Sequence, residues 1–186
     1  MKFVAVVCTG NVCRSPAAEL LLHARLGHAD VTVRSSGIRA LVGNPVDPPM
    51  AELLRARGLD PEPFRARALQ PEELRRADLV IALTREHRAG IVAADPSAVR
   101  RTFLMGELAV LAPAVAAAGW PDDLPHGAAA ARLAALPRLA AAHRSLVRSD
   151  DDLDVADPFG RSAVVYAQTM DQIATAVDTL VEAIDR

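Results

Sequence analysis

Cysteine and long apolar runs are scarce in this sequence. Two cysteines, Cys8 and Cys13, are the only ones in the 186-residue chain, which excludes the disulfide framework of a small secreted fold. Apolar stretches such as Ala112 to Ala118 are too short to span a bilayer, and no signal-peptide pattern follows Met1. We therefore expect a protein of the reducing cytoplasm that is not inserted in a membrane.

An excess of either charge is also absent. The chain carries 21 basic and 23 acidic residues and a net charge of -2, which gives no overall attraction to nucleic acid or to an anionic membrane. Lys2 is the sole lysine, so the chain lacks the Gly-Lys-Ser/Thr ending of a nucleotide-binding P-loop. What is present is a hydrophobic fraction of 51%, enough for one core. We predict a single domain over residues 1–186.

Strand-like and helix-like segments alternate along the first hundred residues. The apolar run Phe3 to Val7 is typical of a strand buried on both faces, and a helix is predicted from Ser15 to about Gly27. Further candidate strands are Val31 to Ser36, Leu79 to Thr84 and Arg101 to Met105, with a helix at Pro48 to Arg57. Because parallel strands need long crossovers, this alternation predicts an α/β fold in which helices cover both faces of a parallel sheet.

The sequence of the second part of the chain predicts helices, and residues 106–150 contain no motif that indicates a catalytic or binding role. Residues 106–150 are rich in alanine and predict helices at Glu107 to Ala118 and Ala128 to Arg144, which we interpret as a helical insertion of unknown role. The acidic run Ser149 to Asp154 is expected to be an exposed loop. From Arg161 onward, apolar residues recur at helical spacing and predict a long closing helix.

The segment Cys8-Thr9-Gly10-Asn11-Val12-Cys13-Arg14-Ser15 joins the first predicted strand to the first predicted helix. A short loop there can direct backbone N–H groups at a phosphate, while the helix N-terminus and the Arg14 guanidinium add charge-assisted donors. Gly10 is the position at which the loop can take a positive φ. The same donors favour an anionic sulfur, so Cys8 is the candidate nucleophile for in-line attack on phosphorus. A structural cysteine followed by a chance arginine is the plain alternative.

A second motif, Asp157-Pro158-Phe159-Gly160, supplies a candidate acid. Breaking a P–O ester bond requires a proton for the leaving oxygen, and one carboxylic acid can later take a proton from water. Pro158 restricts Asp157 to an extended conformation, and Phe159 could line the substrate cleft. Without the first motif, Asp157 would be equally consistent with a capping residue before the last helix.

The segment from Val7 to Pro16 resembles the signature of the low-molecular-weight protein tyrosine phosphatases. The resemblance implies a four-stranded parallel sheet with flanking helices and catalysis without metal or cofactor. It also implies that Cys8 is the nucleophile, that Arg14 binds phosphate and that Asp157 is the acid. The predicted substrate-binding residues are Thr9, Gly10, Asn11, Val12, Cys13, Arg14, Ser15 and Phe159.

The resemblance extends to residues that support the loop. Asn11 and Ser15 would hold the loop and the thiolate, and Ser36 would support the loop from the second strand. Cys13 either forms a protective reversible disulfide with Cys8 or simply packs beneath the loop. Phe64 stands where relatives usually carry His, so we expect one supporting hydrogen bond to be missing.

The sequence leaves the substrate open. Protein-arginine phosphatases usually carry Thr at the position of Val12, so an apolar residue there favours phosphotyrosine. The alternatives are a protein-arginine phosphatase, an arsenate reductase that uses an external low-molecular-weight thiol, and, outside enzymes, a phosphate-responsive binding module. The expected partner is a phosphorylated protein or a small aryl phosphate, with phosphate or sulfate bound in the loop. The oligomeric state is not predicted.

Overall fold

The computed structural model describes residues 1–27, 29–125, 128–148 and 151–185. Four strands form one parallel sheet in the order β2-β1-β3-β4, which confirms the predicted fold class. The strands are β1 (Lys2–Cys8), β2 (Val31–Gly37), β3 (Leu79–Ala82) and β4 (Thr102–Leu104). The α-helices are α1 (Arg14–Leu26), α2 (Pro48–Ala56), α3 (Pro71–Arg76), α4 (Arg85–Ala94), α5 (Met105–Ala118), α6 (Ala129–Ala140) and α7 (Ala163–Asp185). Two 3-10 helices lie at Pro96–Arg101 and Ala141–Leu146.

The central strand β1 is buried on both faces. Val4 and Val6 pack into the larger core cluster, and Ala5 and Val7 pack into a second cluster on the opposite face of the sheet. Alternate residues of a strand point to opposite faces, so a continuous apolar run fits a strand covered by helices on both sides. This arrangement places Cys8, the last residue of β1, at the carboxyl edge of the sheet, where open α/β sheets bind ligands.

The helices divide between the two faces. The helices α1, α5, α6 and α7 contribute to the larger cluster, whereas Leu74 of α3 and Ile91 of α4 belong to the smaller one. The predicted closing helix is confirmed as α7, beginning two residues after Arg161. Sequence analysis missed α3 and α4, because each buries too few apolar residues to show a helical period. Within the described residues, no helix is both long and apolar enough to cross a bilayer.

The alanine-rich segment is helical and joins the common core. The two predicted helices are confirmed as α5 and α6, although residues 141–146 form a 3-10 helix rather than the end of α6. Leu133 and Leu136 of α6 are fully buried. Trp120 and Arg132 donate hydrogen bonds to the carbonyls of Ala183 and Ile184, which ties the segment to the end of α7. That the segment is an insertion within a single domain stays a prediction.

The acidic run differs from the exposed loop that was predicted. Ser149 and Asp150 lie outside the described residues. Leu153 is only 7% exposed and packs in the smaller core cluster. It fits there because Gly106 has no side chain: a Cβ at Gly106 would lie 2.7 Å from the carbonyl oxygen of Leu153. Asp154 is also engaged, since its carboxylate accepts the backbone N–H of Arg85 at 3.0 Å.

Candidate active site

The loop between β1 and α1 is held by the side chain of Asn11. Its amide nitrogen Nδ2 donates to Ser15 Oγ at 2.9 Å and to Ser35 Oγ at 2.8 Å, and its Oδ1 accepts the backbone N–H of Arg67 at 2.7 Å. Asn11 also takes the left-handed conformation, with φ of 55°, although Gly10 is the loop residue that could adopt it without steric cost. Asparagine tolerates this region better than most residues, and here three hydrogen bonds of its side chain hold it there.

Two donors face the sulfur of Cys8. Ser15 Oγ lies 2.9 Å from Cys8 Sγ, and the backbone N–H of Asn11 points at Sγ from 3.3 Å. Because Ser15 Oγ already accepts from Asn11 Nδ2, the hydroxyl proton of Ser15 is available to the sulfur. Hydrogen bonds to the charged form of a group favour that form, so this geometry suits a thiolate.

The serine that supports the loop is Ser35, not Ser36 as predicted. Ser35 Oγ accepts from Asn11 and donates to Glu19 Oε2 at 2.5 Å, whereas no hydrogen bond from Ser36 to the loop is found in the described part of the chain. The reason is the strand period: adjacent residues of β2 point to opposite faces, and only one of them can face α1. Burial raises the pKa of Glu19, and its bonds to Ser35 partly oppose this effect.

Arg67, in the same segment as Phe64, supports the loop through its backbone. Its N–H bonds to Asn11 Oδ1, and its guanidinium donates to the carbonyl oxygen of Ser35 at 2.5 Å and to Glu73 at 2.8 Å. Main-chain support needs no histidine, so the departure at Phe64 does not leave Asn11 without a partner.

Arg14 and Asp157 meet across the cavity although 143 residues separate them in sequence. Arg14 Nη2 donates to Asp157 Oδ2 at 2.6 Å, and Nη1 donates to the carbonyl oxygen of Val155 at 3.2 Å. The Arg14 side chain is 5% exposed and that of Asp157 is 52% exposed. The guanidinium is therefore fixed from behind, while the carboxylate stands in solvent on a short turn in which the N–H of Phe159 donates to Asp157 Oδ1.

A cavity of about 290 Å³ opens above the sulfur. Its lining residues are Cys8, Thr9, Gly10, Val12, Cys13, Arg14, Arg39, Leu41, Asp157 and Phe159. Of the predicted substrate-binding residues, Asn11 and Ser15 do not line it, because both are fully buried beneath the loop. Sequence analysis missed Arg39 and Leu41, which follow β2 and carry no local signature.

The site combines a short loop, a sulfur faced by two donors, a guanidinium fixed by Val155 and a solvent-facing carboxylate. Among the described residues, no group of three or more His, Cys, Asp or Glu side chains could hold a metal ion. Residues 3–109 match the family model described as low molecular weight phosphotyrosine protein phosphatase. The chain belongs to this family.

Similarity to individual members extends the family match. The low molecular weight protein-tyrosine-phosphatase Etp of Escherichia coli K12 is 39% identical over 109 residues, covering 58% of this chain and 72% of Etp. The protein-arginine-phosphatase of Geobacillus stearothermophilus is 28% identical over 180 residues, covering 96% of this chain and 93% of that protein. The crystal structure of a low molecular weight protein tyrosine phosphatase from T. tengcongensis has a TM-score of 0.72 and 26% identity, covering 98% of this chain and 99% of that one.

The second cysteine of this phosphatase-family chain lies in a different environment from Cys8. Cys13 is the N-cap residue of α1, is buried, and is free in this structure. Burial, followed by the nearby Asp47 carboxylate, raises the pKa of the Cys13 thiol to about 12, and a hydrogen bond with Tyr166 only partly opposes this. A pKa raised in this way favours the protonated thiol of Cys13 at neutral pH. A disulfide with Cys8 stays a prediction.

Proposed function

We propose that this chain hydrolyses aryl phosphate monoesters, phosphotyrosine above all, through a cysteinyl-phosphate intermediate. Membership of the family supports a cysteine-dependent phosphatase. The observation that carries the residue assignment is that Cys8, Arg14 and Asp157 line one cavity, with two donors aimed at the sulfur. We assign Cys8 as nucleophile, Arg14 as phosphate ligand and Asp157 as acid and base.

In the first step, the Cys8 thiolate attacks phosphorus in line with the ester oxygen. The S–P bond forms while the P–O bond to the aryl group breaks, and protonated Asp157 gives its proton to the departing phenol oxygen. Loop amides and the Arg14 guanidinium hold the equatorial oxygens, whose charge is stabilised in the transition state.

In the second step, water replaces the sulfur. Asp157, now a carboxylate, takes a proton from the water as its oxygen attacks phosphorus. The S–P bond breaks, inorganic phosphate forms, and the sulfur leaves as a thiolate that Ser15 and the Asn11 N–H stabilise. One carboxyl group thus serves both steps, and the starting protonation state is restored.

The ion pair between Arg14 and Asp157 places the acid beside the phosphate ligand. In the structure the guanidinium donates to the carboxylate at 2.6 Å. One further N–H donates to the carbonyl oxygen of Val155, and the other donors of the guanidinium are available to a phosphoryl group that enters the loop.

The walls of the cavity favour an aryl group. Val12, Leu41 and Phe159 line it, and the Phe159 ring is 54% exposed at its mouth. A flat apolar ring can bury surface against these side chains, whereas a guanidinium carrying phosphate would need polar partners to replace water. Apolar Val12 is the position at which the resemblance to protein-arginine phosphatases implies Thr.

Phosphoarginine is the second candidate substrate. The match to the protein-arginine-phosphatase of G. stearothermophilus spans 96% of this chain, whereas the match to Etp spans 58%. The two substrates are separated by comparing kcat/KM for phosphotyrosine and phosphoarginine on the same preparation, with arsenate reduction in the presence of added thiol as a third arm. We expect phosphotyrosine to be preferred; a preference for phosphoarginine or arsenate would contradict the assignment.

The cysteine chemistry requires a reducing compartment, and we propose the cytoplasm. Cys8 and Cys13 are both free in the structure. An oxidising compartment would convert a reactive thiolate to disulfide or sulfenic acid.

A further inference from the structure

His87 is a buried histidine beside the phosphate loop, and the mechanism above gives it no task. It lies on α4 and is only 1% exposed. Its Nε2 atom is 2.9 Å from Thr9 Oγ1, and its Nδ1 atom is 3.0 Å from Thr84 Oγ1. The imidazole therefore connects the N-terminus of α4 to the residue that follows the nucleophile.

The ring proton of His87 has two possible positions. Thr84 is the N-cap residue of α4, and its Oγ1 already accepts the backbone N–H of His87 at 3.2 Å. With the ring proton on Nδ1, the Thr9 hydroxyl would donate to Nε2 and the Thr84 hydroxyl proton would be left over. With the ring proton on Nε2, the Thr84 hydroxyl donates to Nδ1 and the Thr9 hydroxyl proton is left over. Of the two residues, Thr9 lines the cavity.

The ring is held neutral by its surroundings. Burial lowers the pKa of His87 to about 4, and the positive charges of Arg14 and Arg39 act in the same direction. The carboxylates of Asp157 and Asp154 oppose this shift without reversing it. A neutral imidazole carries a single ring proton, so the direction of its hydrogen bond to the loop is the same throughout the neutral pH range.

We propose that His87 carries its ring proton on Nε2 and is a positioning residue: it donates to Thr9 Oγ1, so that the Thr9 hydroxyl proton points into the cavity and is donated to a phosphoryl oxygen. Thr9 lines the cavity beside Cys8 and Arg14. Because Thr9 Oγ1 accepts from His87, its own proton is free for another acceptor. A phosphate oxygen is the strongest acceptor that the cavity would receive. This inference deepens the proposed function and rests on it.

Phosphate affinity tests the role of the hydroxyl without requiring turnover. Calorimetric titration of the full chain with inorganic phosphate gives Kd, and hydrolysis of para-nitrophenyl phosphate gives KM and kcat. The isosteric variant Thr9→Val removes only the hydroxyl and is expected to raise Kd roughly tenfold, as for one lost hydrogen bond to a charged group. Thr9→Ser retains the hydroxyl and is expected to bind phosphate nearly as well as the unchanged chain.

Variants of His87 test whether it acts through Thr9. His87→Leu is expected to weaken phosphate binding by about as much as Thr9→Val, about tenfold, whereas His87→Gln restores binding because its amide nitrogen can reach the place of Nε2. The double variant Thr9→Val with His87→Leu is expected to bind no more weakly than Thr9→Val alone. His23→Gln is the matched control, since His23 is exposed on α1.

Three results would overturn the proposal: an unchanged Kd in Thr9→Val, additive losses in the double variant, or a ¹⁵N NMR spectrum of His87 with the proton on Nδ1. Thermal denaturation of each variant shows whether it is folded, and Thr9→Ser and His87→Gln keep the test valid if the larger changes unfold the chain. Failure of the proposed function looks different: the unchanged chain would bind phosphate with the predicted Thr9 dependence but hydrolyse no aryl phosphate.

Discussion

Replacing Asp157 by Asn separates two effects of one carboxylate. The amide keeps the shape of the side chain but can neither donate the acid proton nor pair as an anion with Arg14, to which Asp157 is bonded at 2.6 Å. Loss of a general acid typically lowers kcat by about 10²–10⁴-fold. The loss should be largest for phenols that are poor leaving groups and smaller for para-nitrophenol, which leaves readily without a proton.

The same variant should bind phosphate at least as well as the unchanged chain. The Asp157 carboxylate and a bound phosphate are two anions beside the same Arg14 guanidinium, and because Asp157 is 52% exposed its ion pair is worth only about 0.2–1 kcal/mol. Removing it is expected to tighten phosphate binding by roughly 1.5- to 5-fold. The assay combines kcat for a series of aryl phosphates with calorimetry of inorganic phosphate. Unchanged kcat for phenyl phosphate, or clearly weakened phosphate binding, would refute the reasoning.

Two further predictions concern residues near the loop. Ser35→Ala deprives Asn11 and partly buried Glu19 of a partner, so it should lower the free energy of unfolding by about 1–3 kcal/mol and reduce kcat. Ser36→Ala should change kcat little, and equal effects of the two variants in denaturation and turnover assays would contradict the assignment of Ser35. At pH 7–9, iodoacetamide should label Cys8 much faster than Cys13, because a pKa raised to about 12 keeps Cys13 protonated throughout that range. Peptide mass spectrometry measures both sites, and faster labelling of Cys13 would show that its burial and its Asp47 neighbour have been misjudged.

How much of the site could be predicted depended on whether its residues are contiguous. Cys8, Arg14 and Ser15 lie in one short segment that runs from the end of β1 to the first turn of α1, so residue types and spacing were sufficient to bring them together. Asp157 was found because Pro158 follows it and because the family resemblance gave the pair a role. Arg39 is different, since only the fold brings its segment to the cavity.

Where the sequence analysis was wrong, the cause was local geometry that residue type alone does not determine. Ser35 and Ser36 are chemically identical, and only the face of β2 that meets α1 distinguishes them. The left-handed position went to Asn11 instead of Gly10 because its side chain has three hydrogen-bond partners that fix it there.

The fold was easier to predict from the sequence than the hydrogen bonds that support the site. The apolar run at the start of β1 and the repeated apolar positions of α7 are strong periodic signals, and both predicted elements are present. Helices α3 and α4 each contribute one buried apolar residue to the smaller core cluster. Their sequences therefore show no helical period and resemble surface loops. His87 was missed for this reason, because its helix was not predicted.

The most direct test of the account is to trap the covalent intermediate. The chain is mixed with an aryl phosphate, quenched within milliseconds and digested, and the peptide containing residue 8 is examined by mass spectrometry under conditions that preserve S–P bonds. We predict one phosphate on Cys8. The phosphorylated enzyme should accumulate in Asp157→Asn, because that variant hydrolyses the intermediate slowly. Cys8→Ser should show no turnover. Turnover that persists in Cys8→Ser, or phosphate bound to another residue, would contradict the central role of this sulfur.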